Sequence, residues 1–361
     1  MTTISKLFAD GTLQTSVELD EVTYTSVKFN RDGVYASLFD EVTINGPGFP
    51  ADRKTKDGKL LVSGSFDEVT IKPTPVGESI FDTPGTYTWI CPDGVTSVCA
   101  VAIGGGGGGG VGGYSGVSPW SGAGGGLGWK NNITVVPGQS YTVVVGAGGT
   151  PAPAIVPPAN MTPVRGGAGG NSYFWTPSTV SGYGAPNDPS SVRGGGFLGD
   201  GGGEGGRPGD ASGGWGGGAG GAAGYTGNGG NGGKGAQFTR PEDFGPGFDG
   251  QGGGGGGAGG TGSGNTEIYG YSSAGGGVGL FGQGANGLGG AKGWGNPGKG
   301  GSGGEDGHGN KSTGGGQQHG GKYGGGGGAS GYGFYMPASS GGGGAVRIIW
   351  GAGRSFPLNA S

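Results

Sequence analysis

Few residues in this chain could do chemistry, and their spacing argues against most of what they could do. His308 and His319 are the only two histidines. They stand in a polar stretch with no cysteine nearby, so neither zinc-ligand spacing nor a Ser-His-Asp arrangement is indicated, and solvated loop histidines are the simplest reading. Gly104 to Gly110 follows an apolar strand pattern and formally satisfies G-x-G-x-x-G. A dinucleotide loop also needs a helix to follow and an acid about 20 positions on, and neither is present here. Glu204, Asp210, Glu242, Asp243, Glu267, Glu305 and Asp306 supply carboxylates of the kind that cleave glycosides in pairs. They are scattered among loops without a shared framework, so none is assigned. The chain is read as non-enzymatic, with no cofactor and no metal.

Cys91 and Cys99 lie on either side of Asp93-Gly94. If that dipeptide is the two-residue turn of a hairpin, position 91 faces 96 and position 88 faces 99. The thiols then point to opposite faces, and two reduced, buried cysteines are expected rather than a disulfide.

Aromatic residues beside small polar ones do recur between runs of glycine. Trp120, the triplet Tyr173-Phe174-Trp175, Tyr269, Tyr271, Tyr332, Phe334 and Tyr335 lead the series, joined by Tyr183, Phe238, Phe244 and Phe248. Such a residue can cap the glycine region and pack against a sheet. Alternatively it can project from a loop as a rigid, low-entropy contact surface, as Tyr and Trp do among Ser, Gly and Asn in antibody loops. The leading residues are therefore candidates for recognition.

The elements that must position them are unusual. Of 108 glycines, nine precede Gly104 and the other 99 lie between Gly104 and Gly353. A run of three or more has no side chain to bury and a high entropy cost of ordering. Collagen is ruled out, because Gly104 to Gly110 and Gly252 to Gly257 break a strict three-residue register and 22 prolines are an ordinary share. A flexible linker would be poor in aromatics, yet all but one of the seven Trp fall here. The third reading is a bundle of left-handed polyglycine II helices, with three residues per turn, whose backbones approach closely enough to satisfy one another.

A β framework brackets the glycines. Thr86 to Ile90, a turn at Pro92-Asp93-Gly94 and Val95 to Ile103 suggest a hairpin. Val98, Ala100 and Ala102 alternate with Cys99, Val101 and Ile103, so both faces of the second strand are apolar and should be buried. Ile133 to Val136, Pro137-Gly138 and Tyr141 to Val145 suggest a second pair, and Ala345 to Trp350 a last strand that closes the sheet. Ahead of this, Leu19-Asp20-Glu21-Val22-Thr23, Phe39-Asp40-Glu41-Val42-Thr43 and Phe66-Asp67-Glu68-Val69-Thr70 are near copies. Each follows an Asp-Gly step, at Asp10-Gly11, Asp32-Gly33 or Asp57-Gly58, which is a hairpin signal. The acids read as solvent-facing corner residues of a small all-β repeat module over residues 1–80. The expected fold is all-β plus polyglycine II: N-terminal hairpin repeats, then over residues 81–361 a β-sandwich base with an inserted polyglycine bundle and aromatic loops, glycine-rich over 104–353.

Net charge is -4, and it sits in the first 80 residues. Nothing points to a grip on nucleic acid or an anionic membrane. Met1 to Lys6 lacks the apolar run of a secretory signal, and no stretch reaches the roughly 18 apolar residues of a span. Synthesis in a cytoplasm, without membrane insertion, is expected.

Phe81 to Trp89, Gly94 to Val98, Leu127 to Val135, Tyr141 to Gly148 and the ending Gly344 to Gly351 with Arg354-Ser355-Phe356-Pro357 resemble the glycine-rich virion proteins of tailed phages, especially marine and cyanobacterial ones. The resemblance covers residues 81–361. It implies a tail fibre or tip adhesin located on the virion; residues 1–80, outside the resemblance, are expected to attach it to other tail or fibre proteins. Its glycine-rich loops would contact a host surface glycan or outer-membrane protein, with homo-oligomer formation left open. A purely structural fibre or decoration protein is the alternative within the virion. An ice-binding polyglycine protein and a bacterial surface adhesin are the alternatives outside it.

Overall fold

The computed structural model describes residues 75–112, 120–153, 163–186, 193–211, 216–235, 244–260, 272–292, 296–309, 319–330 and 338–360, and before them the backbone of seven short strands. Those strands are β1 (Thr2–Ile4), β2 (Val17–Leu19), β3 (Val22–Thr23), β4 (Phe29–Asn30), β5 (Gly33–Val34), β6 (Phe39–Asn45) and β7 (Glu68–Pro73). β1 pairs with β2 and β4 with β5, while β3, β7 and β6 form one sheet in that order. The Val-Thr steps of the three copies therefore meet in one sheet. Val69 lies opposite Val22 in a parallel pair and opposite Ile44 in an antiparallel one.

Two local expectations change here. Gly33 stands in β5, paired with Asn30, rather than at a turn position; Arg31 and Asp32 lie outside the described residues. Asp40-Glu41 stands inside β6, where the register shifts between Phe39 and Glu41. A bulge absorbs the extra residue without the strand leaving its sheet, so this copy does not turn a corner there. Asp10-Gly11 and Asp57-Gly58 lie outside the described residues.

Ten more strands follow: β8 (Gly77–Phe81), β9 (Gly85–Ile90), β10 (Ser97–Ile103), β11 (Leu127–Thr134), β12 (Ser140–Val145), β13 (Ser172–Phe174), β14 (Val180–Gly182), β15 (Phe197–Leu198), β16 (Gly201–Gly203) and β17 (Ala345–Trp350). They make two five-stranded antiparallel sheets, β16-β11-β10-β17-β8 and β15-β14-β13-β12-β9. The described residues contain no α-helix. β8 starts at Gly77 and pairs with β17, so this framework begins ahead of residue 81.

Neither expected hairpin forms. β9 and β10 lie in different sheets, as do β11 and β12, and their two connections run side by side, with Cys91 N–H donating to Gln139 C=O and Gly138 N–H to Cys91 C=O (2.9 and 2.8 Å). The physical reason lies in β10. It is apolar on both faces, and only an inner position covered on both sides can bury it. Val98, Ala100 and Ala102 join Trp89, Tyr141, Val143, Phe174, Val346 and Ile348 between the sheets. Cys99, Val101 and Ile103 face the other way, into Leu127, Ala222, Tyr225, Leu280 and Phe356. Cys91 and Cys99 are accordingly free, buried and in separate clusters. β17 also takes an inner position, between β10 and β8, rather than an edge.

β17 carries an ionic tie. Arg347 is buried, donates to the Leu280 and Ala360 carbonyls (3.1 and 2.7 Å) and pairs with Glu78 on β8, which also receives Arg354 at 3.2 Å. It joins two neighbouring strands, a glycine turn and the C-terminal tail. The hydrogen bond and charge of Arg347, helped by Arg354, hold the Glu78 carboxyl below the usual carboxylate range against the opposing effect of burial.

The glycine runs are held by one another. The N–H groups of Gly104, Gly107 and Gly110 donate to Gly126, Ala123 and Trp120 (2.9, 2.9 and 2.7 Å); those of Gly105, Gly108 and Val111 to Gly170, Gly167 and Val164 (2.9, 2.9 and 2.8 Å); those of Gly106 and Gly109 to Gly342 and Ser339 (2.9 and 2.8 Å). The carbonyls of Gly106, Gly107 and Gly105 meanwhile accept from Gly149, Gly327 and Ala185. One run thus bonds in rotation to six others, returning to each neighbour every third residue. The run 254–260 repeats this: Gly255 and Ala258 donate to Ala222 and Ala219, Gly256 and Gly259 to Lys299 and Asn296, and Gly257 and Gly260 to Phe248 and Gly245. On outer runs the side chains come at the same interval. Glu204, Arg207 and Asp210 accept through their carbonyls from Gly229, Gly232 and Gly235 (2.9 Å each), while the Asn228 and Asn231 side chains accept from the Glu204 and Arg207 amides.

Such spacing leaves no room for a Cβ in the interior. One added at Gly106 would collide with the Gly325 carbonyl, whereas at Gly343 the nearest atom is Pro84 Cγ at 3.7 Å. Gly106→Ala should therefore cost about 1 to 3 kcal/mol or more and Gly343→Ala less than about 0.5 kcal/mol, read from urea unfolding. Equal losses would show that the runs do not depend on close approach.

Glu78 makes a second prediction. Its folded pKa lies below the unfolded value, so its contribution is complete above the unfolded carboxylate range and is lost as pH falls through the folded value. Glu78→Gln should lower the melting temperature at neutral pH and flatten its decline on the acid side. Parallel melting profiles for the two proteins would remove the pair from the account of stability.

Candidate contact surface at the far end of the glycine runs

The runs alternate in direction, and their bonding fixes which ends lie together. β10 leads through Gly104 to Gly112, and Trp120 to Gly126 lead back to β11; Gly104 and Gly126 bond next to the sheets, and Gly110 and Trp120 bond farthest from them. β12 likewise leads out through Gly146 to Pro153, and 163–170 leads back to β13. The outer ends of these excursions meet. Val111 and Val164 exchange two backbone bonds (2.8 and 3.0 Å), and Gly112 donates to Ser330 at 3.1 Å. Val111, Ala152 and Ala338, with Val164 against them, form a small apolar plug at this far end. At the near end Ala222 to Tyr225 and Val278 to Leu280 pack on the sheet instead. There the Tyr225 hydroxyl donates to Gly279 C=O and accepts from the Gly282 amide (3.0 and 3.2 Å), and burial raises its pKa well above the usual phenol range.

Trp120 sits at the far end, half-buried, with the Arg165 guanidinium 4.1 Å over its ring. The backbone on both sides of this stack is pinned: Trp120 C=O accepts from Gly110, and Val164 is bonded to Val111 in both directions. Buried serines surround the plug. Ser121 donates to Gly217 C=O at 2.6 Å, and Ser339 accepts from Gly109 through its backbone.

The triplet is elsewhere. Tyr173, Phe174 and Trp175 lie where the chain re-enters the sheets from the glycine region, so they are not far-end loop residues. Phe174 is fully buried, edge-on to Trp89 at 5.7 Å, because β13 turns it into the inter-sheet core. It is a packing residue, and the expectation that it contacts a receptor is corrected. Tyr173 is half-buried and paired between Val144 and Ser181. Trp175 is 44% exposed at positive φ, with its ring edge-on to Tyr141 at 5.3 Å. Tyr269, Tyr271, Tyr332, Phe334 and Tyr335 lie outside the described residues.

Sequence reasoning missed two groupings. Arg165 had a signal: no Asp or Glu stands between Asp93 and Asp188, and Lys130 is the only other Lys or Arg in that interval. The histidines had none. His308 and His319 face each other at 4.5 Å between ring centres, and His308 Nε2 is 3.9 Å from Glu305 Oε1. Burial and the facing His308 hold His319 below its usual value. Among the described residues no group of three His, Cys, Asp or Glu is placed to hold a metal ion. Of the scattered acids, Asp306 pairs with Lys299 at 2.8 Å and Glu204 with Arg193 at 3.5 Å; Glu242, Asp243 and Glu267 lie outside the described residues. A scan against family models and a search of curated proteins each find no match to this chain.

The placement separates scaffold from surface. Phe174→Ala should cost about 3 to 5 kcal/mol, as truncation of a buried aromatic does, and Trp175→Ala far less. Thermal melts of the two variants measure this, and equal losses would place Trp175 in the core as well.

Proposed function

We propose that this protein is a tail-fibre or tip adhesin of a tailed phage, carried on the virion, that recognises the host surface through the far end of its glycine-rich domain. The carrying observation is that the outer ends of the excursions from β10 and β12 meet on one face, plugged by Val111, Ala152 and Ala338 and bearing Trp120 and Arg165. We also propose that the runs are polyglycine II helices standing on a β-sandwich base. Hydrogen bonds that return to the same neighbour every third residue support this, because three residues make one turn of that helix. The repeat module would attach the protein to other virion components, and a host glycan or outer-membrane protein would be the partner at the far end.

The burial of Phe174 and half-burial of Tyr173 favour the second reading, a structural fibre or decoration protein whose aromatics are scaffold. Adsorption separates the two. The purified protein should block phage adsorption to host cells. A version lacking residues 1–74, which leaves β8 intact, should block equally well but fail to join particles. Absence of blocking by the intact, folded protein would replace the adhesin reading with the structural one, and incorporation of the truncated protein would overturn the attachment role.

A further inference from the structure

The far end carries a cation that the described protein does not neutralise. The Arg165 guanidinium stacks on Trp120, and no carboxylate among the described residues pairs with it. The runs at this corner include 104–112, 120–126, 146–153, 163–170, 325–330 and 338–344, with 113–119, 154–162 and 331–337 next to them in sequence. None of these contains an Asp or Glu. Ala185 is bonded to Gly105 and Gly169, and Ser272 to Ala329; the segments next to these runs in sequence, 187–192 with Asp188 and 261–271 with Glu267, lie outside the described residues. The chain has no acid at all beyond Asp306, so β17 and the tail that follows it supply none. Several other described cations are paired: Lys130 with Asp200, Arg193 with Glu204, Lys299 with Asp306, and Arg347 and Arg354 with Glu78.

An unmatched guanidinium on a pinned backbone suits one kind of ligand. Its five N–H donors form a planar fork that matches a carboxylate or a phosphate. Stacking on the indole holds that fork in place before binding, which lowers the ordering cost of association. The part of Trp120 that Arg165 leaves uncovered gives an apolar surface beside the charge, suited to the C–H face of a sugar ring. A neutral glycan would use the indole and leave the cation unused.

We propose that Trp120 and Arg165 form a subsite for an anionic sugar, a ring bearing a carboxylate or phosphate, such as a surface polysaccharide presents. This rests on the host-recognition reading and adds the chemical class of the ligand. The test is calorimetric titration of the full chain with oligogalacturonate, with a phosphorylated oligosaccharide and with neutral oligogalactose of matched length. At least one acidic probe should bind about tenfold or more tightly than the neutral one, the scale of a charge-assisted bidentate pair, and the two acidic arms tell carboxylate from phosphate. Arg165→Gln should abolish the preference with an unchanged melt. Arg165→Lys should keep part of it, having the charge without the fork. Trp120→Phe should weaken every probe that binds.

Equal affinity for acidic and neutral probes, absence of binding by both acidic probes, or a folded Arg165→Gln that keeps the preference would each overturn the subsite. Adsorption blocking keeps the two proposals apart. If Arg165→Gln blocks adsorption as well as the wild type does, the subsite fails while host recognition stands. If the wild type binds acidic sugars but does not block adsorption, host recognition fails while the subsite stands.

Discussion

A buried backbone N–H must find an acceptor, and in most folds it finds one within its own helix or on an adjacent strand. Here, through the described glycine runs, it finds one on another run. Gly104 to Gly109 spread their amides over three neighbours and their carbonyls over three more, which is feasible only while no Cβ stands between the backbones. The result is a solid made of main chain. Its cohesion is hydrogen bonding rather than apolar burial, and its tolerance for substitution is set by carbonyl oxygens that already occupy the space a side chain would need.

Backbone alone cannot choose its register, because one glycine resembles the next. The sheets supply that choice. β10, β12 and β17 each join a run directly, and β10 is locked by apolar contacts on both faces. Once Ile103 is fixed, Gly104 has one position, and the threefold rotation of its bonds carries that register outward. Tyr225 and Leu280 dock the near-end turns on the same sheet, and Arg347 ties β8, a glycine turn and the C-terminal tail to it. The described glycine runs and the framework are tied together by these contacts.

The division of labour follows. A surface of glycine backbone has little with which to tell one ligand from another, so the proposed recognition would fall to the few side chains at the ends of the runs and on their outer rows. At the near end those side chains pack on the sheet. At the far end Trp120 and Arg165 are held by a backbone that is bonded on either side of them, which makes this end a rigid support for a contact surface.

The sequence by itself determined the class of architecture. Three-residue runs of glycine exclude an ordinary core there, and the alternation of Val98, Ala100 and Ala102 with Cys99, Val101 and Ile103 already required a strand covered on both faces. It could not determine partners. Asp93-Gly94 and Pro137-Gly138 are good turn signals, yet both turns cross between sheets, because a local turn preference is weaker than the need to bury both faces of β10. The same limit hid the site. Tyr173-Phe174-Trp175 has the composition of a contact loop, but β13 points Phe174 into the core. Arg165 and Trp120, and likewise His308 and His319, meet only because separate runs lie side by side. Sequence distance carries no information about neighbours in a bundle whose contacts are made by main chain, so only the tertiary structure decided which side chains share the far end.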